Sequence, residues 1–491
     1  MISVGTLTSY AIDWTHVHNL TMHGIDRLYD LEIDAAKTAF DSVSLIAPGD
    51  PRGPFFQSML SFYLYGLNRD EKDLSDFFES SERVIAICEN LLDQNDRDAT
   101  TKFYLGGIYG YRGLAFQTSG SILKAARDGR KGYLLLEEAV RDDPHLYDAQ
   151  MGFGLFRYLI AKVPRSMSWI LTVLGLDGDL EGGLHSLRLA AQKGVYTRAE
   201  AKLYLAQFMF AEGRRDTAIQ YLNELRETYP ENTLFLVLYA FWQHRLDNLD
   251  EAMAAARKAV ELNERKQVRY GEELAYSTMG SIYFSMNDFV NARDSYRHYM
   301  NMRHNEQATP NWTYYRAGLA CEIGGDREAA IQFYGRTREE KSRPWDLYYF
   351  RRAQELLHRP LTGAEVLLVK GENESSQKKY VSSLELLEKA LKEAGGNVDL
   401  QARVLYAIQQ TQFESGNLVD ALERSNQLVA LKPVVEQWVT PHAWFKLGQI
   451  HAKSGRVADA RRAFEKVGEY DDYDFQDRLE SRVDAEMKKL Q

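Results

Sequence analysis

Cysteine is nearly absent from this chain. Cys88 and Cys321 are the only two in 491 residues, far apart and in no Cys-x-x-Cys spacing, which excludes a disulfide framework and a zinc site of the usual kind. Proline is scarce as well, at 11, so little forces a break in regular structure. Positive charge is not in excess: 60 Lys and Arg stand against 70 Asp and Glu, giving a net charge of −10 and a pI near 5.7. A general nucleic-acid binder needs a clustered cationic surplus to meet phosphates, and that class is set aside. The basic run Lys124, Arg127, Arg130 and Lys131 reads as the solvated face of a helix. Long apolar runs are missing too, for the stretch Met151 to Leu176 is interrupted by Arg157, Lys162, Pro164 and Arg165, so no transmembrane helix is expected. The N-terminal residues Met1 to Ala11 carry no basic n-region and too short an apolar run for a signal peptide. As written the sequence is expected to be cytoplasmic, and periplasmic or membrane-associated if a leader precedes it.

Aromatic residues are abundant, with 29 Tyr, 22 Phe and 7 Trp. Hydrophobic residues at 45% and charged residues at 26% are ordinary for a folded chain, which excludes a disordered or collagen-like one. The length exceeds the roughly 250–300 residues at which a single core stops growing, so several domains or a repeat array is expected. A repeat decides between them. From Pro441 the chain reads Trp444, Leu447, Gly448, Gly455, Ala460 and Phe464, the spacing of a helix-turn-helix repeat of about 34 residues in which small residues sit where two helices cross and large ones fill the holes beside them. The register recurs with Leu205, Ala206, Gly213, Ala218, Leu222 and Pro230; with Tyr239, Ala240, Ala252, Ala256 and Ala259; with Tyr276, Gly280, Tyr283, Ala292 and Tyr296; with Tyr314, Gly318, Ala330 and Tyr334; and with Leu405, Gly416, Ala421 and Pro433. A weaker copy near 364–394 keeps Gly371, Leu387 and Ala390.

The N-terminal third is helical with enlarged units. Residues 17–48 fit the repeat through Leu20, Gly24, Ala36, Phe40 and Pro48. An aromatic helix over Pro54 to Leu67 is followed by a polar connection, Asp70 to Asp76, and a helix to Leu92. Gly106, Gly110 and Gly113 then lie on one helical face, and three glycines at roughly 1 kcal/mol each imply that another backbone passes close by. The segment 163–179 is an insertion that no plain repeat needs, and its Trp169, Ile170 and Leu171 are more apolar than an exposed loop should be. It is read either as a plug for its own solenoid or as a handle for a partner or membrane surface. The residues from Tyr473 to Leu490 alternate charges and read as a polar end cap.

Three strings, Gly24 to Phe40 (GIDRLYDLEIDAAKTAF), Phe103 to Gly113 (FYLGGIYGYRG) and Lys124 to Lys131 (KAARDGRK), resemble bacterial tetratricopeptide proteins related to the tetratricopeptide repeat protein 39 and inclusion body clearance family, over about 17–230. The resemblance implies a non-enzymatic helical-repeat protein. Eukaryotic members of that family are linked to mitochondria, lipid droplets or protein turnover, and bacterial ones often look exported, a pattern from which the missing leader departs. The resemblance brings no functional residues with it.

A search for chemistry finds little. No Walker phosphate loop, His-Glu-x-x-His string or Gly-x-Ser-x-Gly elbow occurs, and Gly152-Phe-Gly154 runs into Leu155 rather than completing a dinucleotide fingerprint. His16, His18 and His23 cluster without a carboxylate or cysteine at ligand spacing. Adjacent acids such as Glu137-Glu138, Asp142-Asp143 and Asp471-Asp472 diverge or lie in loops, and adjacency is not a catalytic dyad. No catalytic residue, cofactor or metal is therefore expected. What remains is the inner surface, lined in such solenoids by the first helix of each pair. Projecting the register places Tyr204, Gln207, Phe210, Phe241, His244, Arg245, Phe284, Tyr315, Arg316, Tyr406, Phe413, Phe445 and Gln449 there, rings with interspersed donors that suit an extended peptide or an amphipathic helix of another protein. Arg316, Arg403 and Lys446 are too scattered to read as a clamp for a C-terminal carboxylate.

The expectation is an all-α, right-handed α-solenoid of tetratricopeptide-type helix pairs with enlarged N-terminal units. Its regions are 1–198, 199–360 and 361–491, the last ending in the cap. Its expected function is non-enzymatic protein interaction through the concave groove, with a membrane- or lipid-associated adaptor using 163–179 as the alternative.

Overall fold

The computed structural model describes residues 12–68, 70–163, 175, 178–302, 309–339 and 344–490. Among these, helices and their turns are the only regular structure. The chain divides into two compact units, residues 1–239 with 262–271 and residues 240–261 with 272–491. Each is built of antiparallel helix pairs of the expected all-α solenoid.

The first unit holds α1 (Trp14–Tyr29), α2 (Ile33–Ile46), α3 (Arg52–Asn68), α4 (Glu71–Gln94), α5 (Ala99–Thr118), α6 (Ile122–Asp142), α7 (Tyr147–Ala161), α8 (Leu180–Lys193), α9 (Arg198–Ala211) and α10 (Arg215–Thr228). The division between the units runs through the next pair, α11 (Thr233–Arg245) and α12 (Leu249–Lys266). Aspartates start several of these helices: Asp13, Asp70, Asp98 and Asp179 each accept a hydrogen bond from a backbone N–H of the first turn, satisfying donors that a helix leaves orphaned. Asp70 corrects the expected polar connection over 70–76. The acids Glu71 and Asp73 belong to the first turn of α4, where negative charge is favourable against the helix dipole.

The three glycines of α5 do what their spacing implied. A Cβ on Gly106 would lie 3.1 Å from the Gly132 carbonyl oxygen, one on Gly113 would lie 3.1 Å from the Gly129 nitrogen, and one on Gly132 would lie 2.8 Å from the Gly106 oxygen. The backbones of α5 and α6 thus touch through paired glycines, and α7 and α8 cross the same way through Gly154 and Gly183. The first pair also meets the far end of its own unit. His18 Nδ1 lies 2.8 Å from the Tyr196 hydroxyl, the Tyr229 hydroxyl is 3.2 Å from Asp26, and Asn232 Nδ2 donates to the Tyr29 carbonyl at 2.6 Å. The Tyr29 and Tyr229 rings stack at 5.2 Å. The unit therefore closes on itself.

The second unit continues with α13 (Glu272–Ser285), α14 (Phe289–Met302), α15 (Asn311–Ile323), α16 (Arg327–Tyr334), α17 (Pro344–His358), α18 (Gly363–Ser376), α19 (Tyr380–Glu393), α20 (Val398–Glu414), α21 (Leu418–Ala430), α22 (Val439–Lys453), α23 (Val457–Val467) and α24 (Gln476–Lys489). One spacing sets the crossing of each pair. Gly280 meets Tyr296, Gly318 meets Tyr334, Gly371 meets Leu387 and Gly448 meets Phe464, and Gly24 meets Phe40 in the first unit in the same register. In every case the glycine precedes the large residue by sixteen positions. The α20–α21 pair fills the two places with Gln409 and Ser425, which are fully buried and joined by a hydrogen bond of 2.6 Å. Turns between the helices of a pair use left-handed backbone, by glycine at Gly325, Gly416 and Gly455 and by Asn287 and Lys378 elsewhere.

Two features depart from a plain array. Among the described residues helix α17 has no antiparallel mate, and it packs on the α15–α16 pair. The expected C-terminal cap is present as α24, which seats Leu479, Val483 and Met487 on Phe445 and Phe464. It begins at Gln476, however, so Tyr473 to Phe475 form an irregular lead-in instead of a first turn.

Candidate protein-interaction site

The first helices of pairs in the second unit, together with the cap helix α24, carry a row of cations laid on rings. The Arg316 guanidinium of α15 sits 4.9 Å from the Phe284 ring and 5.9 Å from the Trp312 ring. Lys446 of α22 and Lys453 lie 4.0 and 4.1 Å from the Phe413 ring, and Arg482 of α24 lies 4.6 Å from the Phe445 ring. Such contacts hold a cation at modest energy, about 0.5–2 kcal/mol, without neutralising it. Among the described residues Arg316, Lys446 and Arg482 make no ion pair with a carboxylate.

Electrostatics tie these groups into one surface. Burial pulls the Lys446 ammonium down to about 8, with Arg482 adding to the effect and Glu414 opposing it. Burial lowers His244 to about 3, assisted by Arg316 and Arg245. Glu372 of α18 is reached by water yet walled by protein, so desolvation raises its carboxyl while Arg403 and Arg316 draw it back. Desolvation also raises Glu414, against Lys446. Desolvation, with Arg482 opposing, puts the Tyr406 hydroxyl at about 12. Lys446 is buried, Arg316 half-buried and Arg482 exposed, so the row runs from a desolvated cation to a solvated one.

Beside this row stands a box of rings. Tyr348 and Tyr349 of α17 face Trp438 and His442 at the start of α22, and Phe475 enters among them, 5.3 Å from Tyr348, 6.4 Å from Tyr349, 6.0 Å from Trp438 and 6.5 Å from His442. Glu436, 1% exposed, accepts the Trp438 Nε1–H at 2.6 Å and the Tyr348 hydroxyl at 3.4 Å. Arg352 and Arg403 approach the same carboxylate at 3.8 and 3.7 Å. The polar tips of Trp438 and Tyr348 are therefore satisfied from behind, which leaves their ring faces for packing.

Of the projected inner residues, ten lie in the second unit: Phe241, His244, Arg245, Phe284, Tyr315, Arg316, Tyr406, Phe413, Phe445 and Gln449. Phe284, Tyr315 and Phe445 are buried, acting as the floor that cations and neighbouring rings rest on. Phe241, His244, Arg316, Tyr406, Phe413 and Gln449 are half-buried and Arg245 is exposed, its guanidinium 5.8 Å from the Phe241 ring. Tyr204, Gln207 and Phe210 belong to the first unit. Tyr204 stands beside Glu200, whose carboxyl burial pushes up to about 7 against a hydrogen bond from the Tyr111 hydroxyl. Trp169, Ile170 and Leu171 of the 163–179 insertion lie outside the described residues. The projection omitted Trp312, Glu372, Trp438, Phe475 and Arg482, along with the whole of α17. The run Trp345-Asp-Leu-Tyr-Tyr-Phe350 carried the signal for α17, an aromatic cluster in what the repeat register treats as a connection.

The basic run of α6 is engaged with its own surface. Lys124 lies on the Phe116 ring, Arg127 pairs with Asp128, and Lys131 reaches Tyr109 and Glu89. Cys88 and Cys321 are free and buried, their thiols pushed up to about 12 by desolvation. Among the described residues no three His, Cys, Asp or Glu side chains are grouped to hold a metal ion, and no helix is long and apolar enough to cross a membrane.

Residues 148–375 match the family model Iml2/Tetratricopeptide repeat protein 39, and residues 442–471 match the tetratricopeptide repeat model. The chain is a tetratricopeptide repeat protein, and its residues 148–375 are similar to the Iml2/tetratricopeptide repeat protein 39 family. The matched region overlaps the resemblance read from the sequence over 148–230 and begins after the three strings that carried it; it says nothing of a bacterial source. Solved structures similar to this tetratricopeptide protein include the yeast Tom70, at 11% identity over 93% of this chain and 99% of that one with a TM-score of 0.32. Another is the APC/C hetero-tetramer Cut9-Hcn1, at 14% identity over 91% and 86% with a TM-score of 0.28. A tetratricopeptide repeat protein from Parabacteroides merdae ATCC 43184 is 14% identical over 58% of this chain and 98% of its own, with a TM-score of 0.26.

Proposed function

We propose that this protein is a non-enzymatic scaffold that holds a segment of another protein on the inner face of its second unit, between Arg316 and Arg482. The observation that carries this reading is the row of cations resting on aromatic rings, without ion pairs among the described residues. A ring-backed cation supplies contact area and orientation together, the combination that dominates protein-binding hot spots. The sign of the row favours a partner segment bearing carboxylates. The tetratricopeptide repeat fold, whose stacked helices generally serve as binding scaffolds, agrees with it. The membrane-adaptor alternative rests on 163–179 and gains no support from the described residues.

The test is affinity capture from a native lysate by the full-length protein beside an Arg316→Ala, Lys446→Ala and Arg482→Ala variant that melts alike. Proteins retained by the first, lost by the second and released by moderate salt support the reading. The same proteins on both would place binding elsewhere.

A further inference from the structure

The residues that lead into α24 are Asp471-Asp-Tyr-Asp-Phe475, acids interleaved with rings, which is the chemistry complementary to the face just described. They are also seated on it. Phe475 fills the box of Tyr348, Tyr349, Trp438 and His442, Tyr473 packs 6.3 Å from His442, and Asp474 forms an ion pair with Arg351 on α17. The backbone that delivers them is strained. Asp472 and Phe475 hold φ of 55° and 68°, the left-handed region, which aspartate tolerates and a bulky side chain such as phenylalanine rarely adopts. Phe475 is only half-buried and begins a helix without a side-chain cap. Its conformation is one that the ring contacts impose, since a helix start does not call for it.

We infer that residues 471–475 are a built-in pseudo-ligand, and that the box they occupy takes an acidic-aromatic segment of a partner protein, an aromatic side chain preceded by a carboxylate, which must displace Asp474 and Phe475 to bind. This rests on the scaffold reading and narrows it to a ligand class. The box fixes the aromatic, Arg351 fixes the preceding acid, and the cations along α22 and α24 receive further carboxylates. The partner gains what the chain's own segment lacks, the same contacts without left-handed backbone. While the box is filled, the apparent affinity for a partner falls by the fraction of molecules in which it is open.

The test uses the full chain and a fluorescein-labelled, end-capped peptide of residues 469–477, Glu-Tyr-Asp-Asp-Tyr-Asp-Phe-Gln-Asp, followed by anisotropy. Phe475→Gly removes the plug and suits the left-handed backbone, so it opens the box without loading α24. Asp474→Lys sets two cations together and loosens the segment with its ring intact. Both variants are expected to bind the peptide at least about tenfold more tightly than the unaltered protein. Arg351→Ala in the Phe475→Gly background, or alanine in place of the peptide's phenylalanine, abolishes that gain. Equal affinity of the unaltered protein and both opened variants overturns self-occupancy. Absence of peptide binding to either opened variant overturns the ligand class, and the scaffold reading then stands or falls separately on whether lysate capture depends on Arg316, Lys446 and Arg482.

Discussion

Replacing Gly318 by alanine should change sign in its effect on stability when Tyr334 is removed. In a helix of ordinary backbone, alanine is better than glycine by about 1 kcal/mol, and Gly318 has no left-handed φ that would forbid it. The added Cβ, however, would lie 2.2 Å from Tyr334 Cε1 and 2.5 Å from its Cδ1. Tyr334 is fully buried, and its hydroxyl is 3.0 Å from Glu322, so the ring cannot retreat by the ångström or more that contact distance requires. Overpacking of this kind costs about 1–3 kcal/mol, here at the upper end, so Gly318→Ala should destabilise by about 2 kcal/mol after the helix gain. Tyr334→Ala alone should cost about 3–5 kcal/mol. Adding Gly318→Ala to it should restore about 1 kcal/mol, because the Cβ enters vacated space and the helix propensity survives. The native Ala240 and Ala256, both fully buried at the same sixteen-residue spacing, are the double variant already present in the chain. The assay is the cycle of four proteins, read by apparent melting temperature and by hydrogen exchange across 311–334, since a repeat array unfolds locally. A coupling of about 3 kcal/mol with reversed sign is expected. If Gly318→Ala costs as much without the ring as with it, the ring is not what glycine makes room for, and the explanation of the repeat spacing fails.

Three further outcomes follow from buried charge. Glu200 titrates near 7 in the folded protein and near 4.5 as an ordinary glutamate, so the folded state binds the extra proton between those values. Its contribution is fully present below about 4.5 and is lost as pH rises through 7, a drop of no more than about 3 kcal/mol; thermal melts from pH 5 to 8 should fall for the unaltered protein and stay flatter for Glu200→Gln. Lys446 is the reverse case. With its ammonium held near 8 instead of 10.5, stability should rise between pH 8 and 10.5 in thermal melts, and Lys446→Met should remove that rise. Asp128, 2% exposed, accepts from Arg112 Nε at 3.0 Å while Arg112 also reaches Ser81 and Glu82 at 2.8 and 2.6 Å. Asp128→Ala should cost about 3 kcal/mol by urea denaturation, the lower part of the range for a broken buried pair, because Glu82 still faces the guanidinium.

What could be read from sequence and what could not divides along the reach of each signal. The crossing of a helix pair is local: Gly448 and Phe464 lie sixteen residues apart and meet directly, so the repeat register shows through single residues. The glycine face of α5 announced a backbone crossing for the same reason, and that crossing is with the helix next in sequence. Even Gln409 and Ser425, which break the small-and-large rule, keep its spacing. The polar stretch after Asp70 misled because acids at a helix start and acids in a linker have the same composition, and only the cap geometry at Lys72 N separates them.

The candidate site was legible only in the residues that form its floor. Register places a residue on the first helix of a pair and so found Phe284, Tyr315, Phe413 and Phe445, but it says nothing of a helix outside the array. Helix α17 brings Tyr348 next to Trp438 across ninety positions of chain and next to Phe475 across well over a hundred, and no periodic pattern encodes such a meeting. The C-terminal residues misled for a physical reason of the same kind. Alternating charge in 476–489 does describe a cap, and the acids before it look like more of the same, yet Phe475 is drawn out of helical backbone by rings supplied from α17 and α22. Had 473–475 continued the helix, Phe475 would have left the box and Asp474 would have left Arg351. The left-handed backbone at a phenylalanine is therefore the local trace of a long-range contact.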